Sequence, residues 1–197
     1  MKVVGMCLLV LWIGLVGFIP ELSVVDAHAV VHAAVNSPKL NKEKTAQDWF
    51  NEGVDYQSRY LYNKAIQSYT EAIKLDGQVA DVYYNRGCAY AEIHSYDDAL
   101  FDFNKVIELM PADAEAYYNR GVVYDAKELY EQSLNDYDKA ISLNEKYADA
   151  YYNKAVALEN LGRSAESIPA YEAFIQYAPA DDRDMFFAKE RLQILSQ

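Results

Sequence analysis

ADVYYNRGCAYAEIHSYDDALFDFNKVIELMPAD (80–113) runs without a gap into AEAYYNRGVVYDAKELYEQSLNDYDKAISLNEKY (114–147), and the two stretches agree at 13 of 34 positions. Agreement at a fixed period within one chain marks a repeated structural unit, whatever that unit proves to be. The same frame extends outward to 46–79 and to 148–181. An aromatic opens each block (Trp49, Tyr83, Tyr117, Tyr151), and a small residue follows four positions later (Gly53, Gly87, Gly121, Ala155). Three positions further on come Tyr56, Tyr90, Tyr124 and Leu158. Later columns hold Ala65, Ala99, Ser133, Ser167, then Tyr69, Phe103, Tyr137, Tyr171, then Ala72, Val106, Ala140, Phe174.

Steps of four and three place Trp49, Gly53 and Tyr56 on one helical stripe, and Ala65, Tyr69 and Ala72 on a second. Each block therefore predicts a helical hairpin. Small residues let its two helices approach, and the aromatics fill the space beside them. One hairpin cannot bury its apolar face alone, so four must stack to close a core. Thr45 and Asp113 are the N-cap candidates. Gly77, Pro111 and Pro179 share the column that ends the second helices. Pro169 sits early in the last of these, where a lost amide bond costs less than at mid-helix. Residues 182–197 read as a capping helix that covers the last apolar face with Phe186, Phe187, Ile194 and Leu195.

These W/Y…G…Y…A…F/Y…A…P columns, over residues 46–181, resemble the tetratricopeptide repeat (TPR) family. The resemblance implies an all-α fold, a right-handed α-solenoid of TPR hairpins with a C-terminal capping helix, in which the first helix of each unit lines a concave groove. The units are 46–79, 80–113, 114–147 and 148–181. In this chain the groove columns are Gln47, Asp81, Glu115, Asp149; Phe50, Tyr84, Tyr118, Tyr152; Asn51, Asn85, Asn119, Asn153; and an apolar floor of Val54, Cys88, Val122, Val156. Glu92, Asp125 and Glu159 stand at the ends of those helices. The groove so drawn has six acids and no Lys or Arg. A TPR subclass grips a peptide's C-terminal carboxylate with Lys, Arg and Asn; here Glu115 and Asp149 stand where the cations are wanted, which disfavours that mode.

The chain ahead of the repeats reads as an address. Lys2 precedes 17 uncharged apolar residues, Val3 to Ile19, then Pro20 and a small-residue site at Ala27-His28-Ala29. That layout predicts a secretory signal peptide over 1–29, cleaved after Ala29 with Ala33 or Ala34 as alternatives, and a secreted, envelope or periplasmic location. An uncleaved membrane anchor is the competing reading, and the only route by which a membrane would be a partner. Cys7 lacks the neighbours of a lipoprotein box. Residues 30–45 form a polar linker, and the mature chain keeps Cys88 alone, which excludes an intramolecular disulfide.

Composition narrows the function. The 197 residues hold 18 Lys+Arg against 30 Asp+Glu, net −12, which argues against a nucleic-acid partner. All 18 tyrosines lie between Tyr56 and Tyr177, inside the repeats. No metal spacing, phosphate loop or Ser/His/Asp set is present, no cofactor is implied, and His94 falls in an inter-helix turn, so an enzyme is not expected. Arg86, Arg120 and Lys154 share a column, as do Ser68, Asp102 and Asp136. Pairing between units (Ser68–Arg86, Asp102–Arg120, Asp136–Lys154) is the expectation; pairing within units (Arg86–Asp102, Arg120–Asp136) is the competitor. The function expected is an exported protein-interaction module binding an extended neutral or basic peptide segment. The alternatives are an envelope assembly scaffold using the convex face, and a carbohydrate or peptidoglycan binder using the tyrosine row.

Overall fold

A computed structural model describes residues 43–196; the signal-peptide region and most of the linker lie outside the described residues. The described residues form nine helices: α1 (Ala46–Ser58), α2 (Tyr62–Leu75), α3 (Ala80–Glu92), α4 (Tyr96–Leu109), α5 (Ala114–Ala126), α6 (Tyr130–Leu143), α7 (Ala148–Asn160), α8 (Ser164–Tyr177) and α9 (Met185–Leu195). They pair as hairpins α1–α2, α3–α4, α5–α6 and α7–α8, and each second helix also packs on the next first helix. The result is an all-α solenoid ending in a C-terminal helix. No helix among the described residues is long and apolar enough to cross a membrane.

Local chemistry fixes each hairpin. Thr45 and Asp48 form a capping box at the start of α1, and Asp113 accepts from the Glu115 and Ala116 amides at the start of α5. The turn inside each hairpin is the same motif four times. Tyr60, His94, Glu128 and Gly162 hold positive φ (59°, 60°, 58° and 74°). The next amide, of Leu61, Ser95, Leu129 or Arg163, donates back to the carbonyl of Tyr56, Tyr90, Tyr124 or Leu158 at 2.9 Å. This is a Schellman-type ending, which normally favours glycine. Three of the four turns hold the left-handed conformation without one, at a cost of about 1 kcal/mol each.

Between the helices, glycine meets an aromatic ring. A Cβ on Gly121 would lie 2.7 Å from the Tyr137 ring, and one on Gly87 3.1 Å from Phe103. The rings of Tyr69, Phe103, Tyr137 and Tyr171 are buried. A buried phenol requires a partner. Tyr69 donates to Gln57 Oε1 (2.8 Å) and Tyr137 to Asp125 Oδ2 (2.6 Å), while burial, helped by the nearby Glu159 carboxylate, pushes the pKa of the Tyr171 phenol up. In the second hairpin the ring is Phe103, without a hydroxyl, and the column facing it is correspondingly Ala91.

The ion pairs correct one expectation. Arg86 makes a two-pronged bond to Asp102 of its own hairpin (2.8 and 2.7 Å), and Arg120 does the same to Asp136 (2.7 and 2.6 Å). Pairing is thus within units, not Ser68–Arg86, Asp102–Arg120 or Asp136–Lys154; the Ser68 hydroxyl donates instead to Glu52 of its own hairpin (3.3 Å). The register across units is instead carried by a column two residues later. Arg86 Nη1 donates to Thr70 (3.0 Å), Arg120 Nη1 to Asn104 (2.5 Å) and Lys154 Nζ to Asp138 (2.5 Å). A guanidinium has enough donors to hold both its own second helix and the preceding one. The ammonium of Lys154 is bonded only across the junction.

Pro169, the sixth of the fourteen residues of α8, costs the ladder one bond in the first half of the helix, as its position implied. One further reading changes at the C-terminal end. The cap covers α8 with Met185, Ala188, Leu192 and Leu195. Phe186, Phe187 and Ile194, expected to share that task, are 78%, 43% and 51% exposed.

Candidate functional site

First helices of successive hairpins touch one another (α1–α3, α3–α5, α5–α7), while no two second helices pack comparably. The first helices therefore form a continuous row, and the side chains on its open side are the columns that contain Asn51, Asn85, Asn119 and Asn153. These carboxamides are already engaged. Asn119 Nδ2 donates to the Glu115 carbonyl (2.9 Å) and to the Tyr84 hydroxyl of the preceding hairpin (3.0 Å). Asn153 Nδ2 repeats the second bond to Tyr118 at 3.0 Å. Asn85 donates to the Asp81 carbonyl (2.8 Å), and the residue before it in the ladder is Phe50, which has no hydroxyl to offer. Asn51 accepts from Gln47 (2.9 Å).

An amide NH2 has two hydrogens, and both of Asn119's are spent inside the protein. What it turns outward is a carbonyl oxygen. At Asn119 the row is thus biased towards accepting, whereas Asn85 and Asn153 each spend one amide hydrogen and Asn51 spends its oxygen.

Tyr84, Tyr118 and Tyr152 are half-buried, each leaning on its own second helix: on Phe103 at 6.0 Å, Tyr137 at 6.0 Å and Tyr171 at 6.1 Å between ring centroids. Burial, reinforced by Asp149, pushes the Tyr118 phenol up to about 12. Burial is also the main cause of the upward shifts at Tyr84 and Tyr152. All three remain neutral hydroxyls at physiological pH. Cys88, in the floor, has its thiol pushed up to about 12 by burial, which keeps it a protonated, weakly nucleophilic group. At the α1–α3 end lies a pocket of about 240 Å³ lined by Gln47, Phe50, Val79, Asp81 and Val82 among others.

Asp81, Glu115 and Asp149 are exposed along the row, as is Glu92. The other two expected groove acids are not available. Asp125 is committed to the Tyr137 phenol, and Glu159 is held by Arg191 of α9 in a bidentate pair. The groove is also not free of cations. Arg183 lies close enough to Tyr118 and Tyr152 to act on both electrostatically, although it is paired with Asp184 at 3.2 Å. Sequence reasoning missed Tyr147 as well, whose ring stacks 4.9 Å from that of Tyr118 and widens the aromatic row. Tyr147 sits just ahead of α7, in a column occupied elsewhere by Val79, Asp113 and Asp181, so no periodicity announced it. Among the described residues no group of three or more His, Cys, Asp or Glu is arranged to hold a metal ion.

Comparison with known proteins agrees with this architecture. Models described as tetratricopeptide repeat match residues 80–113, 114–147 and 136–168, and one described as TPR repeat matches 61–94. No curated protein sequence matches the chain. Among solved structures, the crystal structure of MamA superposes with a TM-score of 0.66 at 25% identity, covering 78% of this chain and 85% of that one. The Arabidopsis OM64 TPR domain gives 0.56 at 26%, covering 58% and 94%. The first TPR of Spaghetti (RPAP3) bound to the HSP90 peptide SRMEEVD gives 0.58 at 24%, covering 60% and 94%, a likeness of fold. Four gapless hairpins, with family matches running from residue 61 to residue 168, place the chain in the tetratricopeptide repeat family of protein-interaction modules.

Proposed function

We propose that this chain is an exported protein-interaction module whose first-helix groove binds an extended peptide segment of neutral or basic character. The observation that carries the reading is the polarity of the row. Asp81, Glu115 and Asp149 are exposed on it, and Asn119, with both amide hydrogens used internally, turns an acceptor outward. A ligand rich in donors, such as Lys or Arg side chains and free backbone amides, complements such a surface; a carboxylate does not. Export rests on the apolar run Val3 to Ile19 and the Ala27-His28-Ala29 site.

Fluorescence anisotropy with a lysine-bearing extended peptide tests the groove. Affinity is expected to fall as ionic strength rises from roughly 50 to 300 mM, and to fall again in Asp81→Asn/Glu115→Gln/Asp149→Asn. Binding indifferent to salt and untouched by that triple change would sink the reading. N-terminal sequencing of the protein recovered outside the cytoplasm should begin at Val30; an intact Met1 there would count against cleavage.

A further inference from the structure

The 34-residue frame does not stop at residue 181. Carried one step further, it places Arg183 under Asp149, Phe186 under Tyr152 and Phe187 under Asn153. The structure makes the same identification. Asn119 contacts Tyr84 and Asn153 contacts Tyr118, each 35 residues apart; Phe187 meets Tyr152, again 35 residues apart, at 6.4 Å between ring centroids. Helix α9 therefore occupies the position of a fifth first helix, and its open side continues the groove.

The chemistry changes along that continuation. The ladder carboxamide is replaced by Phe187, and Ile194 lies seven residues on, on the same helical face. Phe186 stands in the column where every other ring leans on a second helix, yet it is 78% exposed. The acid column ends in Arg183, which with Asp184 forms a neutral pair. The groove thus passes from an acidic stretch over α3, α5 and α7 to a stretch over α9 where the exposed Phe186, Phe187 and Ile194 surround a single acid, Glu190, which takes the place of Val156 in the floor column.

Resting on the groove reading above, we infer that Phe186, Phe187 and Ile194 form a subsite for a bulky apolar residue of the same extended ligand, so that the partner is a bipartite peptide: cationic or amide-rich at one end, apolar at the other. Packed helix axes lie 8–10 Å apart, so α5 and α9, two steps along the row, are separated by roughly 18 Å. An extended chain covers that distance in about five or six residues. The apolar residue is accordingly spaced about that far from the cation that sits over Glu115. The separation is what distinguishes this ligand from a simply basic one.

Three fluorescein-labelled synthetic peptides, titrated against the full chain, test the inference. All carry a Lys pair; the first has Phe about six residues away, the second has Ala in its place, and the third has Phe adjacent to the lysines. The first should bind about tenfold more tightly than the other two. Phe186→Ser/Ile194→Ser, at two outward-facing positions, should erase that advantage while leaving the affinity for the Ala peptide unchanged. Equal affinities for the first and second peptides, or an advantage that survives the double change, would overturn the subsite. Glu115→Gln/Asp149→Asn reads the underlying groove separately. If it weakens all three peptides while Phe brings no advantage, the groove stands and the subsite falls. If none of the peptides binds, both fall.

Discussion

The Tyr137 phenol donates to the Asp125 carboxylate at 2.6 Å, inside the third hairpin, and the equivalent pair in the second hairpin is Phe103 against Ala91. Both solutions fill the same space. One satisfies a hydroxyl with an acceptor, and the other dispenses with both groups. The chain therefore carries within itself the control for a double-mutant cycle.

Tyr137→Phe alone should destabilise the protein by about 1–3 kcal/mol, because it leaves the Asp125 carboxylate half-buried without its donor. Tyr137→Phe/Asp125→Ala reproduces the Phe103–Ala91 pair and should recover most of that loss. Urea midpoints of the four proteins measure the coupling. Strictly additive changes would show that the two residues do not act as a pair.

The same carboxyl makes stability depend on pH. Burial raises the Asp125 pKa above its ordinary value, and its Oδ1 is buried near Ser133, whose hydroxyl donates to the Tyr130 carbonyl instead (2.9 Å). A group with a raised folded-state pKa stabilises below its unfolded pKa and loses that contribution as pH rises through the folded value. Asp125→Asn keeps an acceptor for Tyr137 but does not ionise. Its melting temperature should gain on the parent's as pH rises from about 4 towards neutrality. A difference constant across that range would contradict the assignment.

Arg120 and Lys154 share a column but should differ sharply in weight. Asp136 is 4% exposed beneath Arg120. Arg120→Ala strands that charge, and a loss of about 3 kcal/mol is expected. Lys154 meets the exposed Asp138, and Lys154→Ala should cost below about 1 kcal/mol. Comparable losses, read from denaturant curves, would mean that burial is not what separates them.

Glu128 holds a φ of 58° at an exposed turn position. Glu128→Gly removes the left-handed penalty but loosens the unfolded chain, so a net gain of about 0.5 kcal/mol is expected. His94→Gly forfeits more, because the His94 imidazole is bonded to the Tyr96 hydroxyl at 2.8 Å. The ranking of the two variants by thermal melting is the check, and a stabilised His94→Gly beside a destabilised Glu128→Gly would reverse it.

The hairpins were legible because their chemistry is local and periodic. The Gly121–Tyr137 contact, the Thr45 and Asp113 caps and the ends of the second helices all follow from residues a few positions apart, or from one column read four times. Pairing partners were not legible in the same way. Asp102 is 16 residues from Arg86 and 18 from Arg120, and both lie on helices that touch α4, so spacing could not choose between them. Nor could column membership tell which acids are spoken for. Asp125 is claimed by a buried phenol on α6, and Glu159 by Arg191 of α9. The groove's last step lies in the register of Arg183, Phe186 and Phe187; the helix that carries them also caps α8 through Ala188, Leu192 and Leu195, and that packing role masks the repeat frame on its other face.

The three-way grip of Arg86 and Arg120 also sets the order in which the array lets go. At the first two junctions one guanidinium ties the incoming first helix to second helices on both sides, so neither hairpin can open without stripping a donor from its neighbour. At the third junction Lys154 makes a single solvent-facing bond, and Pro169 has already thinned the backbone ladder of α8. Opening should begin with α7–α9 and halt at α6, so that amide protons of the last hairpin exchange well before those of the first three, and the end of the groove that carries Phe186 and Phe187 is the part that breathes.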